Sequence, residues 1–177
     1  MTVFRPILKF ERPTPIPHAC VIGKWGVQSD CYQPTGTCSQ WNNSRVTNQS
    51  GVSRGYFTRE DVWTLHAYVQ GLLAEHGVRL DAIAICPHAP HEDCPCRKPR
   101  TGMAREVETQ LGEPIAYERS WVIGDKLSDL GFGRALGTHV ALIKGRYWNE
   151  SRFHAPAILI ADSLSQAAQA ILSHNRD

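Results

Sequence analysis

From Val46 onward, short apolar runs alternate with segments of helical periodicity, and this alternation constrains the fold more than any other feature of the chain. DAIAICPH (81–88), SWVIGD (120–125), HVALIKG (139–145) and AILIADS (157–163) read as strands. Between them, Thr58 can cap a helix with Asp61 completing a capping box; Val62, Leu65, Val69, Leu72 and Leu73 form its apolar face and Gly77 ends it. Further helices are predicted around Gly102–Leu111, over Ser128–Leu136 with Gly137 as the stop, and over Leu164–Leu172. Strands alternating with helices predict an α/β fold, a parallel sheet covered on both faces. Ligands of such sheets sit at the carboxyl ends of the strands.

The first 45 residues are different. They hold two acids (Glu11, Asp30), five bases (Arg5, Lys9, Arg12, Lys24, Arg45) and three of the six cysteines (Cys20, Cys31, Cys38), with no amphipathic helix. VFRPILKF (3–10) and ACVIG (19–23) read as short strands, and CYQPTGTCSQWNNSR (31–45) as loop or disorder. The expected division is an atypical segment over 1–45 and one globular domain over 46–177.

Bulk properties exclude several classes. A net charge of +2 on 177 residues creates no field that would recruit nucleic acid or a membrane surface. No apolar run is long enough to span a bilayer, and the N-terminus lacks the pattern of a secretory signal. Six cysteines, with half of them in one tight group, suit a reducing compartment, so a cytoplasmic location is expected; the chain is also expected to be a monomer.

That group is Cys86-Pro-His88 followed, after five residues, by Cys94-Pro-Cys96 and Arg97-Lys98-Pro99. Three thiols and an imidazole close a tetrahedral Zn²⁺ site with no position left for water, so the ion would hold the loop and do no chemistry. His91 is an alternative ligand ranked below His88, and a Cys94–Cys96 disulfide would form a strained ring. Metal here would also set the direction of Arg97 and Lys98.

Three polar clusters fall just past predicted strands. Thr47-Asn48-Gln49-Ser50-Gly51 offers hydroxyl, amide and backbone donors to an oxyanion. Arg97-Lys98 offers a two-pronged donor and a compact charge for phosphate oxygens. Asp125, after an apolar strand, suits Mg²⁺ that shares the substrate's phosphate oxygens, with Asp129 one helical turn away behind the metal and Lys126 beside it. Asp125 could also cap the helix beginning near Leu127, a role compatible with metal binding. Together the clusters describe a phosphate site without a nucleophile or a proton donor.

VTNQSGVSRGYF (46–57), CPHAPHEDCPCRKPRTGM (86–103) and VIGDKLSDL (122–130) strongly resemble the haloacid dehalogenase superfamily, and within it the D,D-heptose 1,7-bisphosphate phosphatases. The resemblance implies a Rossmann-like fold with a small zinc loop, and removal of the 7-phosphate from a heptose bisphosphate on the way to lipopolysaccharide-core or surface-layer sugars. It implies Thr47 and Lys98 as phosphoryl stabilisers, and Asn48, Gln49, Ser50, Arg97 and Lys126 as substrate contacts. It implies Asp125 on Mg²⁺ and Cys86, His88, Cys94 and Cys96 on Zn²⁺. Histidinol-phosphate phosphatases share the metal loop and remain an alternative. In the family, a DxDGT motif on the first strand supplies the nucleophilic aspartate and the acid–base aspartate. This chain departs from that pattern: Asp30 is the one aspartate before Val46, and no DxD occurs there. The abrupt start of the resemblance predicts a disrupted reading frame or a replaced N-terminus. A catalytically inactive, zinc-stabilised domain that binds a sugar phosphate or a partner is therefore the other expectation.

Overall fold

A computed structural model describes residues 18–22, 41–145 and 158–174. The expected strand at 3–10, most of the loop read over 31–45 and the environment of Asp30 lie outside these residues. Six strands, β1 (His18–Ile22), β2 (Trp41–Asn48), β3 (Ala82–Cys86), β4 (Trp121–Gly124), β5 (His139–Ile143) and β6 (Ile158–Ala161), form one sheet in the order β3-β2-β1-β4-β5-β6. Every pairing is parallel. The helices are α1 (Arg59–Glu75), α2 (Gly102–Leu111), α3 (Leu127–Leu136) and α4 (Leu164–His174).

Side-chain alternation along the strands builds a core on each face of the sheet. On one face Ile83 and Ile85 pack with Val62 and Leu73 of α1, and Trp121 and Ile123 pack with Ala167 and Ile171 of α4. On the other, Ala82, Ala84, Val46 and Val122 pack with Met103 and Val107 of α2 and Phe132 of α3. β3 is an edge strand. Gln110 of α2 covers that edge by accepting from Ile83 N at 2.9 Å and donating to Ile83 O at 2.8 Å.

α1 begins as its sequence predicts: Thr58 Oγ1 accepts from Asp61 N at 3.0 Å while Asp61 accepts from Thr58 N at 2.8 Å. Its apolar face is narrower than expected. Val62 and Leu73 are buried, but Leu65 is 47% and Leu72 43% exposed. They lie on the solvent side with Trp63 and Tyr68, and the position facing the sheet in their stead is His66, 1% exposed.

The larger correction concerns 41–45. The sequence reads as loop, yet these residues form the first half of β2, paired to β1 on one side and to β3 on the other. The sheet edge that Val46 would otherwise leave open is thus filled by β1. The strand has polar residues where a central strand is normally apolar. Ile83, Arg45 and Ile123 fall at one level across the sheet, linked through Ile22 of β1. Arg45 Nε and the hydroxyl of Ser44, which is wholly buried, have no hydrogen-bond partner.

His66 shares this environment, and neither ring nitrogen has a partner. Burial, and then the charge of Arg45, lowers its pKa from 6.5 to about 4. The folded chain therefore keeps His66 neutral where the unfolded chain binds a proton, so its contribution to stability is complete above pH 6.5 and is lost as pH falls towards 4. Urea unfolding is expected to show a midpoint that declines across this interval and a shallower decline in His66→Leu. Equal slopes in the two proteins would rule out His66 as the titrating group.

Candidate active site

Strand order reverses between β1 and β4, the position at which open parallel sheets bind ligands beyond their carboxyl ends. Thr47 and Asn48 close β2, Cys86 closes β3, and Asp125 follows β4. The three clusters expected from sequence meet at this edge.

Lys98 joins them. Its ammonium donates to Val46 O at 2.9 Å and lies 2.6 Å from Asp129 Oδ1, with both side chains almost fully buried. Its backbone is tied to β2 by a reciprocal pair with Asn48: Lys98 N donates to Oδ1 at 3.0 Å, and Nδ2 donates to Lys98 O at 3.3 Å. An ammonium has three donors, so one stays available for a ligand oxygen. Thr47 is buried, and its hydroxyl accepts from Gln49 Nε2 at 3.3 Å.

Asp129, and not Asp125, stabilises the start of α3. Asp129 Oδ2 accepts from Asp125 N at 3.2 Å and from Lys126 N at 3.1 Å. A carboxylate in the first helical turn meets the positive end of the helix dipole. This approach requires Gly124, because a Cβ there would stand 2.3 Å from Asp129 Cβ. Asp125 is thereby spared from capping, and its Oδ1 is buried without a partner. An uncompensated buried carboxylate oxygen is costly unless a cation occupies the space beside it. Asp125 thus fits a hard divalent ion, with Lys98 at the far side of Asp129. Lys126 is exposed at the rim.

Cys86, His88, Cys94 and Cys96 place their ligand atoms within 4.8 Å of one another. Cys86 Sγ is 3.5 Å from Cys94 Sγ and 3.7 Å from His88 Nδ1, while Cys96 Sγ is 3.2 Å from that nitrogen and 3.5 Å from Cys94 Sγ. A tetrahedron with metal–sulfur bonds of about 2.3 Å and a metal–nitrogen bond of about 2.0 Å has edges of about 3.5–3.8 Å, so the four atoms suit a tetrahedral ion. His88 is the imidazole in this group, as ranked from sequence. Burial pushes Cys86 up and Cys96 up to about 12; at Cys94 burial acts in the same sense, but hydrogen bonds from Cys96 and Cys86 prevail and lower it. A divalent cation would release the remaining thiol protons.

Arginines brace this loop. Arg97 Nη1 donates to His88 O at 3.0 Å, and Arg100 Nη1 donates to Cys94 O at 2.7 Å. Arg97 is therefore half committed to the metal loop, with the rest of its guanidinium left for a ligand. Sequence reasoning passed over Ser53 and Glu92, whose side chains bond to each other between the two loops. The one available clue was an acid placed two residues before a candidate metal ligand.

Residues 95–167 match the HAD-hydrolase-like family model. The D-glycero-β-D-manno-heptose-1,7-bisphosphate 7-phosphatase of Pseudomonas aeruginosa is 37% identical over 134 residues, which is 75% of this chain and 74% of that protein. This chain belongs to the heptose-bisphosphate phosphatase family of HAD-like hydrolases. The Pseudomonas putida relative of the same name is 38% identical over 104 residues, 59% of this chain and 58% of that one, so the match spans little more than half of that relative. Among solved structures, the D,D-heptose 1,7-bisphosphate phosphatase of B. bronchiseptica, complexed with magnesium and phosphate, superposes with a TM-score of 0.73 at 26% identity, over 88% of this chain and 98% of its own. That solved phosphatase shares with this chain the parallel α/β architecture described above. No helix among its described residues is long and apolar enough to cross a membrane.

Proposed function

We propose that this chain binds a heptose 1,7-bisphosphate in the cytoplasm, as a monomer, with its 7-phosphate at the Mg²⁺ edge of the sheet, and that Mg²⁺-dependent hydrolysis of that phosphate is the reaction for which the site is built. The observation that carries this reading is the buried, unpartnered Asp125 Oδ1 at the strand-order reversal, next to the Asp129 that pairs with Lys98. Asp125 would hold the Mg²⁺, which when bound neutralises phosphoryl charge. Thr47 and the third donor of Lys98 would take the phosphoryl oxygens, while Asn48, Gln49, Ser50, Arg97 and Lys126 would take the sugar and the remaining phosphate. Zinc is the ion that fits the Cys86, His88, Cys94, Cys96 set, because thiolate and imidazole are its preferred ligands. The heptose name carried by the relatives favours this substrate over histidinol phosphate.

A specific observation supports a second reading. β1 occupies the centre of the sheet, and in sequence neither His18–Ile22 nor the Gly23-Lys24-Trp25 that follows contains an aspartate or a glutamate. Without a nucleophile the aspartyl-phosphate route is closed. The chain as written would then bind the sugar phosphate without turning it over, and residues 1–45 would be a replaced N-terminus on a phosphatase domain over 46–177. Phosphate release from heptose bisphosphate with Mg²⁺, measured beside equilibrium binding, separates the readings. Binding that is lost in Asp125→Ala is expected in both. Release at an ordinary enzymatic rate, abolished by the same substitution, would defeat the binding-only reading; an absence of Mg²⁺-dependent binding would defeat both.

A further inference from the structure

The loop after β2 is fastened to the metal loop by contacts that none of the roles above uses. Gln49 N donates to Cys86 O at 2.7 Å, and Ser53 N donates to Pro87 O at 3.1 Å. Ser53 Oγ donates to Glu92 Oε1, and the same oxygen accepts from Ala89 N at 2.7 Å. Residues 49–55 are also bonded among themselves: Val52 N to Gln49 O at 3.1 Å, Arg54 N to Ser50 O at 3.2 Å and Gly55 N to Val52 O at 3.0 Å. The Phe57 ring lies against Gly51, where a Cβ would meet it at 2.3 Å. A loop tied in this way moves as a unit and carries Gln49 and Ser50 with it.

Glu92 lies between two of the metal-site residues, His88 and Cys94. An ion that fixes those two ends fixes the arc between them, and with it the carboxylate that receives Ser53. We propose that Ser53 and Glu92 are positioning residues, a latch through which occupancy of the Cys/His metal site orders the phosphate-binding loop, so that metal and phosphoester strengthen each other's binding. The phosphoester half rests on the function proposed above; the metal half does not. Linkage requires that the two affinities change by the same factor. Both residues are exposed, so truncating either leaves the core intact.

The test uses the full chain with Zn²⁺ or with a chelator and reads two quantities. One is amide hydrogen exchange over residues 50–55. The other is calorimetric affinity for heptose 1,7-bisphosphate in the presence of Mg²⁺. Zn²⁺ is expected to slow exchange and tighten binding by about tenfold each, within the usual range of coupling between sites. In Ser53→Ala and Glu92→Ala both ratios are expected to fall to near one, and Ser53→Thr, which keeps the hydroxyl, is expected to restore them. Ratios in Ser53→Ala equal to those of the parent chain would overturn the latch, as would a parent chain whose exchange and affinity ignore Zn²⁺. If Zn²⁺ slows exchange through Ser53 but the bisphosphate binds in neither state, the latch stands and the substrate reading fails.

Discussion

Chelating the metal is expected to open residues 86–98 to proteolysis and to remove a large part of the stability of the domain. Cys86 and Cys94 are buried, and Cys86 is also part of the core that α2 and α3 share with β2, β3 and β4. Cys94 lies 3.5 Å from both Cys86 and Cys96, and with Cys96 pushed up to about 12 the three thiols gain little from one another in the absence of a cation. Structural zinc contributes apparent binding free energies of about 10–16 kcal/mol in small domains, against a total folding stability of about 5–15 kcal/mol. Even a fraction of that transmitted to the fold would be decisive. The damage should begin locally, because Arg97 and Arg100 anchor to carbonyls of His88 and Cys94 and lose their acceptors when the loop opens. Thermal unfolding and limited proteolysis, before and after chelation and again after zinc is restored, are the measurements. An unchanged cleavage pattern within 86–98 would show that the loop holds itself. Since the ligands must shed protons to bind the ion, affinity should weaken as pH falls.

Asp129→Ala is expected to destabilise the chain by about 3–5 kcal/mol, the usual cost of leaving a buried charge without its partner. The side chain performs two tasks at once. One oxygen neutralises Lys98, and the other receives the backbone N–H groups of Asp125 and Lys126. Asp129→Asn should cost less, because an amide oxygen can still accept those two hydrogen bonds. Pairing Asp129→Ala with Lys98→Met should recover much of the loss, since the stranded ammonium disappears with its acceptor. Urea denaturation of the single and double variants tests this. Additive losses in the double variant would mean that the two charges are independent, despite their 2.6 Å separation.

Features that depend on neighbouring residues were readable from sequence. The Thr58–Asp61 box, the left-handed Gly137 that ends α3, the bounds of α2 and the tight cysteine spacing are all set within a few residues, and the structure reproduces them. Features that depend on distant partners were not. Nothing near Asp129 indicates that it would meet Lys98, 31 positions earlier, because that contact exists only once β2 and β4 lie on either side of β1. Periodicity also failed to tell Leu65 and Leu72 from Val62 and Leu73, since all four lie within one broad stripe and only the docked sheet decides which half is covered. The loop reading of 41–45 rested on composition. Pairing on both sides overrode it, because a backbone flanked by two strands satisfies its hydrogen bonds whatever its side chains are.

β2 is therefore held by its backbone and opposed by its side chains, which makes it the place where the molecule has most room to improve. A library randomised along the whole chain and screened for survival after heating should converge first on aliphatic replacements of Ser44 and Arg45. Each would remove an orphaned buried polar atom of the kind that costs about 1–3 kcal/mol.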